Sequence, residues 1–377
     1  MKVIVVGSGI VGASAAYHLA KKGAEVVVMD QGHEGQATPA GAGIVCPWIS
    51  REKEDHPDRY AVAKAGACYY PKLIAMLEQD GVTDTGYSLV GALAISDNDE
   101  VLSEIEEKVK SRKAETPEVG EVRRVTAEEA QAYFPPLKEG IAAVYVSGAA
   151  RVDGASLRDS LKRGAEKHGA QFYSEEASLQ VAEGRVLGIR TSDKVIAADS
   201  VVVAGGAWAS RLFEPLGIDI AIEPERGQIA HLVLSGEDTA NWPIIHPMEG
   251  HYLVPFEGSR VVAGATREAG TGFDYRMTAG GVKEVLDEAL AVAPGLKDST
   301  LKEVRVGFRP VCPDNLPSIG AIQSVEGLFV ANGLGSLGLT MGPYAGAVAA
   351  RLALGEEVGL DLSPYDPLRH AGEKVEN

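Results

Sequence analysis

Apolar positions in this chain follow two rhythms, and their order predicts the architecture. At the start, KVIVV is apolar and β-branched without alternation, as in a strand buried on both faces. GSGIVG turns the chain, ASAAYHLAKKG has helical spacing and stops at Gly23, and EVVVMD is a second buried strand closed by Asp30. From Arg59 to Asp80, Ala, Leu and Tyr recur at helical spacing. YSLVGALAIS reads as one strand. NDEVLSEIEEKVKSRK reads as a charged, solvated helix capped by Asp97 or Asn98. TAEEAQAYFPPL is a short helix broken by Pro135 and Pro136.

The second half changes rhythm. DGASLRDSLKRGAEKHGAQFY is an amphipathic helix capped near Asp153 and ended by Gly169. LQVAEGRVLGIRT alternates around a glycine turn and predicts a hairpin. DSVVVAGGAWA is another buried strand running into glycines. Strands dominate from Gln228 to Thr266, and GGVKEVLDEALAVAPGL is a further helix. Near the end, the apolar strand GLFVA runs into a second glycine-rich turn, ANGLGSLGLTMGP, which opens a helix near Gly338 to Gly342. There is no internal repeat and no low-complexity linker. Two domains that interleave along the chain are therefore expected.

Composition narrows the picture. The 377 residues are 45% hydrophobic, enough for a sizeable core divided between two domains. A formal net charge of −17 repels phosphate backbones, so nucleic acid is not an expected partner. Three cysteines, Cys46, Cys68 and Cys312, form no C-x-x-C pair and no disulfide framework, which fits a reducing cytosol. No metal site is expected. The N-terminal apolar run is broken by glycines, has only Lys2 ahead of it and leads to no export-type cleavage site. No stretch is long and apolar enough to span a bilayer. A cytoplasmic protein is expected, with peripheral membrane contact left open.

The sharpest chemical signal is G-x-G-x-x-G at Gly7, Gly9 and Gly12, between a strand and a helix and ahead of an acid at the tip of the next strand. Gly7 permits the tight turn, Gly9 lets a pyrophosphate approach the backbone, and Gly12 lets the helix pack on the strand. The helix N-terminus offers amide donors and a positive dipole end. Asp30 suits a ribose diol and disfavours a 2′-phosphate.

Five segments together resemble the D-amino acid oxidase superfamily of FAD-dependent oxidoreductases, which includes glycine oxidase, sarcosine oxidase and D-amino acid dehydrogenase. They are VIVVGSGIVGASAAYHLAKKGAEVVVMD, RVDGASLRDSLKRGAEKHGA, VVVAGGAWASRLFEPLGI, VGFRPVCPDNLPSIG and GLFVANGLGSLGLTMGPYAG. The resemblance implies an α/β fold, with a Rossmann-type FAD-binding domain and a smaller α+β substrate domain on an antiparallel sheet. The expected bounds are 1–85, 145–220 and 305–377 for the first, and 86–144 and 221–304 for the second. It also implies which residues hold FAD: Gly7, Gly9, Ile10, Val11, Gly12, Asp30 and Gln31 at the first turn. Thr38, Gly41, Ala42, Gly43 and Ile44 follow in the segment that wraps ribityl and flavin. Ala204, Gly205, Gly206 and Trp208 come from the middle of the chain. Gly333, Gly335, Ser336, Gly338, Leu339 and Thr340 lie at the last turn, where backbone amides face the flavin pyrimidine edge and Gly335, Gly338 and Gly342 keep side chains away.

The same resemblance makes Arg309, in GFRP, the partner of a substrate carboxylate, a task that suits a planar guanidinium. Tyr252 is a second candidate for that carboxylate. His246 and His251 lie nearby, but neither is assigned as a base, since hydride transfer from a neutral amine needs none. Gly307 stands where sarcosine oxidases carry their flavin-linked cysteine, and Cys312 is displaced from it, so FAD is expected to be non-covalent. Ser336 replaces an arginine of the glycine-oxidase-like relatives. With Leu337 and Leu339 beside it, a less polar pocket is expected. The implied substrate is glycine, a small D-amino acid or an N-substituted glycine, including proline-like secondary amines. Oxygen, a quinone or another carrier would take the electrons. The alternatives are an NAD-dependent dehydrogenase and a non-catalytic FAD-binding assembly factor.

Overall fold

The computed structural model describes residues 1–50, 52–247 and 251–371. The β-branched run at the start forms strand Lys2–Val6 at the centre of a six-stranded sheet. The sheet order is Ser318–Ala321, Leu328–Asn332, Ser200–Val203, Lys2–Val6, Glu25–Met29, Gln171–Tyr173. All neighbours are parallel except the Ser318–Ala321 edge. The absence of alternation in KVIVV is explained by burial on both sides. Val3 and Val5 enter one apolar cluster, while Ile4 and Val6 enter another.

Helices Ile10–Lys21, Pro57–Gln79, Gly154–Lys167 and Gly338–Ala353 pack together on one face. Helix 154–167 starts where expected, with the Asp153 side chain accepting from Ser156 N at 3.1 Å. The helix predicted over 98–113 spans Asp99–Glu115, and Asn98, not Asp97, caps it. Helix Ala127–Tyr133 opens with a capping box between Thr126 and Glu129. The expected hairpin gains a third strand, Val195–Ala197, and Leu179, Val186 and Ile189 cover the other face of the main sheet.

The second sheet has eight strands, antiparallel apart from the pair Ile244–Pro247 and Ala92–Ser96. One face packs Leu93, Ile95 and Leu253 together with Val285 and Ala289 of helix Ala279–Val292. The other turns Ala92, Ala94, Ile229 and Val254 towards the helices of the first sheet.

Two expectations need revision. YSLVGALAIS is not one strand. It breaks into Tyr87–Leu89 and Ala92–Ser96, which join different sheets, because Gly91 between them has φ 76°. The boundary drawn at 305 cuts strand Thr300–Val311, which pairs along its length with Glu223–Val233. The strand carrying Arg309 therefore belongs to the eight-stranded sheet. The boundary at 144 likewise falls within strand Ala142–Val146. Among the described residues, no helix is long and apolar enough to cross a membrane.

Candidate active site

One cavity of about 760 Å³ runs between the two sheets. At one end lie Gly7 and Asp30, at the strand tips of the Rossmann sheet. At the other lie Tyr252 and Arg309, on the eight-stranded sheet. Gly9, Ile10, Val11, Gln31, Thr38, Gly41, Ala42, Gly43 and Ile44 also line it. So do Ala204, Gly205, Gly206, Trp208, Gly335, Ser336, Gly338, Leu339 and Thr340. Gly12 and Gly333 do not. Their places are structural: a Cβ on Gly12 would sit 1.9 Å from the Gly7 carbonyl oxygen, and one on Gly333 2.5 Å from Cys312 Sγ. Gly342 is also reassigned. Its missing side chain makes room for Ile10, whose Cγ2 would lie 2.7 Å from a Cβ there, so it serves helix packing and not flavin approach.

Two helices, Ile10–Lys21 and Gly338–Ala353, begin at this cavity, and neither N-cap residue, Gly9 or Leu337, supplies a side-chain cap. Their first amides are therefore donors awaiting an acceptor, except Ile10 N, which Thr38 Oγ1 accepts at 3.0 Å. A Cβ built on Gly338 meets nothing within 4 Å. Asp30 Oδ2 accepts from Ser8 N at 2.7 Å and Ser8 Oγ at 2.8 Å, which fixes the carboxylate at the turn. Trp208 is sandwiched between His33, ring centroids 4.3 Å apart, and Phe273 at 5.0 Å. Thr340 Oγ1 donates to the Ile44 carbonyl at 2.8 Å, and Asn332 Nδ2 to the Gly206 carbonyl at 2.9 Å. These bonds tie the four glycine-rich segments into one cradle for an elongated anion.

At the other end, Arg309 Nη1 donates to Glu225 Oε1 at 2.7 Å and to the Thr266 carbonyl at 3.0 Å. The guanidinium lies over Gly227, where a Cβ would come within 2.6 Å of Nη2. Among the described residues Nη2 makes no hydrogen bond, so one edge of the fork is left for a ligand. Burial raises the Tyr252 hydroxyl above its ordinary pKa and keeps it a neutral donor.

The expected loss of charge at Ser336 is not what the fold delivers. Arg59 Nη2 lies 3.1 Å and Arg267 Nη2 3.3 Å from Ser336 Oγ. The charge comes from two other elements, helix Pro57–Gln79 and the segment after strand Arg260–Gly264, instead of from position 336. Neither arginine sits in a motif, so sequence spacing had no means of finding them. Arg267, His246, Pro47 and Ser50 also line the cavity. His251 does not; it faces Glu284 at 3.4 Å.

Comparison with known proteins agrees with this geometry. The family of FAD-dependent oxidoreductases termed DAO matches residues 2–352. The chain belongs to this family. It is 50% identical over 365 residues to an uncharacterized oxidoreductase, YurR, of Bacillus subtilis, covering 97% of this chain and 98% of that protein. It is 30% identical over 379 residues to the glycine oxidase of Pseudomonas putida, covering 97% and 98%. The crystal structure of iminodiacetate oxidase from Chelativorans superposes with a TM-score of 0.93 at 46% identity, over 97% of this chain and 98% of that one. The protein is thus an FAD-dependent oxidoreductase acting on C–N bonds of amines. The NAD-dependent and non-catalytic alternatives fall.

The cradle fits FAD: two uncapped helix N-termini face the cavity and Asp30 sits at the tip of the second strand. Two thiols come near it. Cys46 lines the cavity, but burial pushes its pKa up to about 12; Cys312, outside the lining, is pushed up to about 11. Asp30→Ala is expected to weaken FAD binding about tenfold or more, since a hydrogen bond to a charged group contributes about 1.5–3 kcal/mol. Titration of the apoprotein with FAD measures this, and an unchanged Kd would remove Asp30 from the ribose.

Proposed function

We propose that this enzyme oxidises the C–N bond of an N-substituted glycine that carries a second carboxylate. Bound FAD supplies the two-electron acceptor for the hydride. The observation that carries this reading is the pair of cationic positions on one cavity wall. Arg309 offers a free guanidinium edge, and Arg267 converges with Arg59 on Ser336. One carboxylate on Arg309, helped by Tyr252, orients the reacting carbon. The other meets Arg267 and the Ser336 hydroxyl. The similarity to an iminodiacetate oxidase supports the same chemistry. In this reading Gly7 to Val11, Asp30, Thr38 to Ile44, Ala204 to Trp208 and Gly335 to Thr340 hold the cofactor. The FAD and substrate portions meet along strand Thr300–Val311. Oxygen, a quinone or another carrier receives the electrons afterwards.

A second reading takes a single carboxylate, as in glycine, sarcosine, a D-amino acid or proline. It draws on Leu337 and Leu339 in the lining and on the glycine oxidase relatives. Anaerobic flavin bleaching separates the two. Iminodiacetate and N-carboxymethyl amino acids should reduce the flavin at lower concentration than sarcosine, glycine or D-alanine. Arg267→Ala should remove that preference. Equal efficiency of the mono- and dicarboxylates would leave the second reading standing. Reduction by amines without any carboxylate would overturn both.

A further inference from the structure

His246 lines the substrate end of the cavity and has no task so far. Along strand Ile244–Pro247, Ile245 packs into the cluster behind the sheet and Ile244 into the one shared with the FAD-side helices. His246 returns to the Ile244 face and lines the cavity with Tyr252 and Arg309. Its neighbour in the sheet is Ala94 on one side. Its Nδ1 is buried and has no hydrogen-bond partner among the described residues. His231 and His251 also have buried ring nitrogens without a hydrogen-bond partner among the described residues; what sets His246 apart is that it lines the cavity.

Among the described residues, the other titratable or charged groups lining this end are Cys46, Tyr252, Arg267 and Arg309. Glu225 stands behind Arg309, and Arg59 beside Ser336. The thiol and the phenol are pushed up by burial. Glu225 is occupied by Arg309.

We propose that His246 takes the proton of the substrate ammonium as the amine is seated. The inference rests on the amine-oxidising function proposed above. The N–H bond breaks, the proton moves to the imidazole, and the electron pair stays on nitrogen. With that pair free to form the C=N bond, the neighbouring carbon can give up its hydride to the two-electron acceptor that bound FAD would supply. The proton on His246 leaves to solvent. Burial holds the imidazole below its ordinary pKa. It is therefore neutral when substrate arrives, and it hands the proton on instead of keeping it.

The test uses the holoenzyme and His246→Asn, which keeps a polar side chain of similar reach and loses the base. Anaerobic stopped-flow reduction by iminodiacetate is followed from about pH 6 to 10, across the range where the free ammonium titrates. At pH 7 the variant should be roughly 100-fold slower. Its rate should climb with pH towards the wild-type value as substrate arrives already deprotonated. Diglycolate has the same two carboxylates with an ether oxygen in place of nitrogen. It should perturb the oxidised flavin spectrum with the same Kd in both proteins. A variant with the wild-type rate and pH profile would overturn the proposal. So would a variant whose loss is the same at every pH, or one that has lost diglycolate binding, since both mark a structural role. Failure of iminodiacetate and every other carboxylated amine to reduce the wild-type flavin would overturn the substrate reading itself, and this proposal with it.

Discussion

Arg309→Ala is expected to slow flavin reduction by two to three orders of magnitude while FAD stays bound. The size follows from what the guanidinium does in the fold. It neutralises Glu225 at 2.7 Å, accepts no replacement from the Gly227 side, and presents its free edge to the cavity. Removing one partner of a fully buried pair costs about 3–5 kcal/mol because the other charge is left unpaired; this pair is partly buried, which places the loss towards the lower end. Here two carboxylates are stranded, that of Glu225 and that of the substrate, and they repel each other. The companion substitution Glu225→Gln should therefore restore part of the lost rate in the double variant. Arg309→Lys should do only slightly better than alanine, since a point charge cannot hold Glu225, the Thr266 carbonyl and a ligand at fixed angles. Anaerobic bleaching by iminodiacetate and sarcosine measures all four proteins. An unchanged rate in Arg309→Ala would take the carboxylate off this residue.

Gly12→Val is expected to yield a protein that does not hold FAD and melts well below wild type. The first carbon of any side chain at position 12 would sit 1.9 Å from the Gly7 carbonyl oxygen and 2.8 Å from its carbon. Those atoms are backbone and cannot swing aside. Gly7 itself is held at φ 102° with the Ala204 carbonyl pressed against it. The turn must open, and with it the spacing between the helix amides and Asp30. Overpacking in a filled interior costs typically 1–3 kcal/mol, and a backbone clash belongs at the upper end. Absorbance at the flavin band after gel filtration and a thermal melt are the two measurements. A yellow protein with a wild-type melting temperature would contradict the geometry.

The comparison of sequence and structure shows which signals travel through a chain. KVIVV, the glycine turn and Asp30 were legible because their constraints are local: a strand, a turn and a strand tip separated by fixed steps. Helices with good caps, such as the one after Asp153, were legible for the same reason. YSLVGALAIS was misread because the break at Gly91 depends on which sheet each half joins, and no short window contains that. Gly342 was misassigned because two explanations, ligand approach and helix packing, ask for the same residue. The charge around Ser336 was missed because it is delivered from residues 59 and 267, far apart in sequence and outside any pattern. Loss of an arginine at one position says little about a pocket that several elements share.

The crossing of the two cavity-facing helices also bears on the order in which this protein matures. Helix Gly338–Ala353 lies against helix Ile10–Lys21 so closely that a Cβ on Gly346 would come within 2.4 Å of the Val11 carbonyl oxygen, and Ser14 Oγ donates to the Pro343 carbonyl at 2.6 Å. Strand Leu328–Asn332 also completes the parallel sheet beside Ser200–Val203. A ribosome delivers the first glycine turn hundreds of residues before these partners. Throughout that interval the first helix can pack on helix Gly154–Lys167, but the flank that meets helix Gly338–Ala353 is uncovered and one wall of the cofactor cradle does not exist. The cradle is therefore complete only once residues 335–340 have been made, and a product that stalls before residue 335 lacks that wall of it.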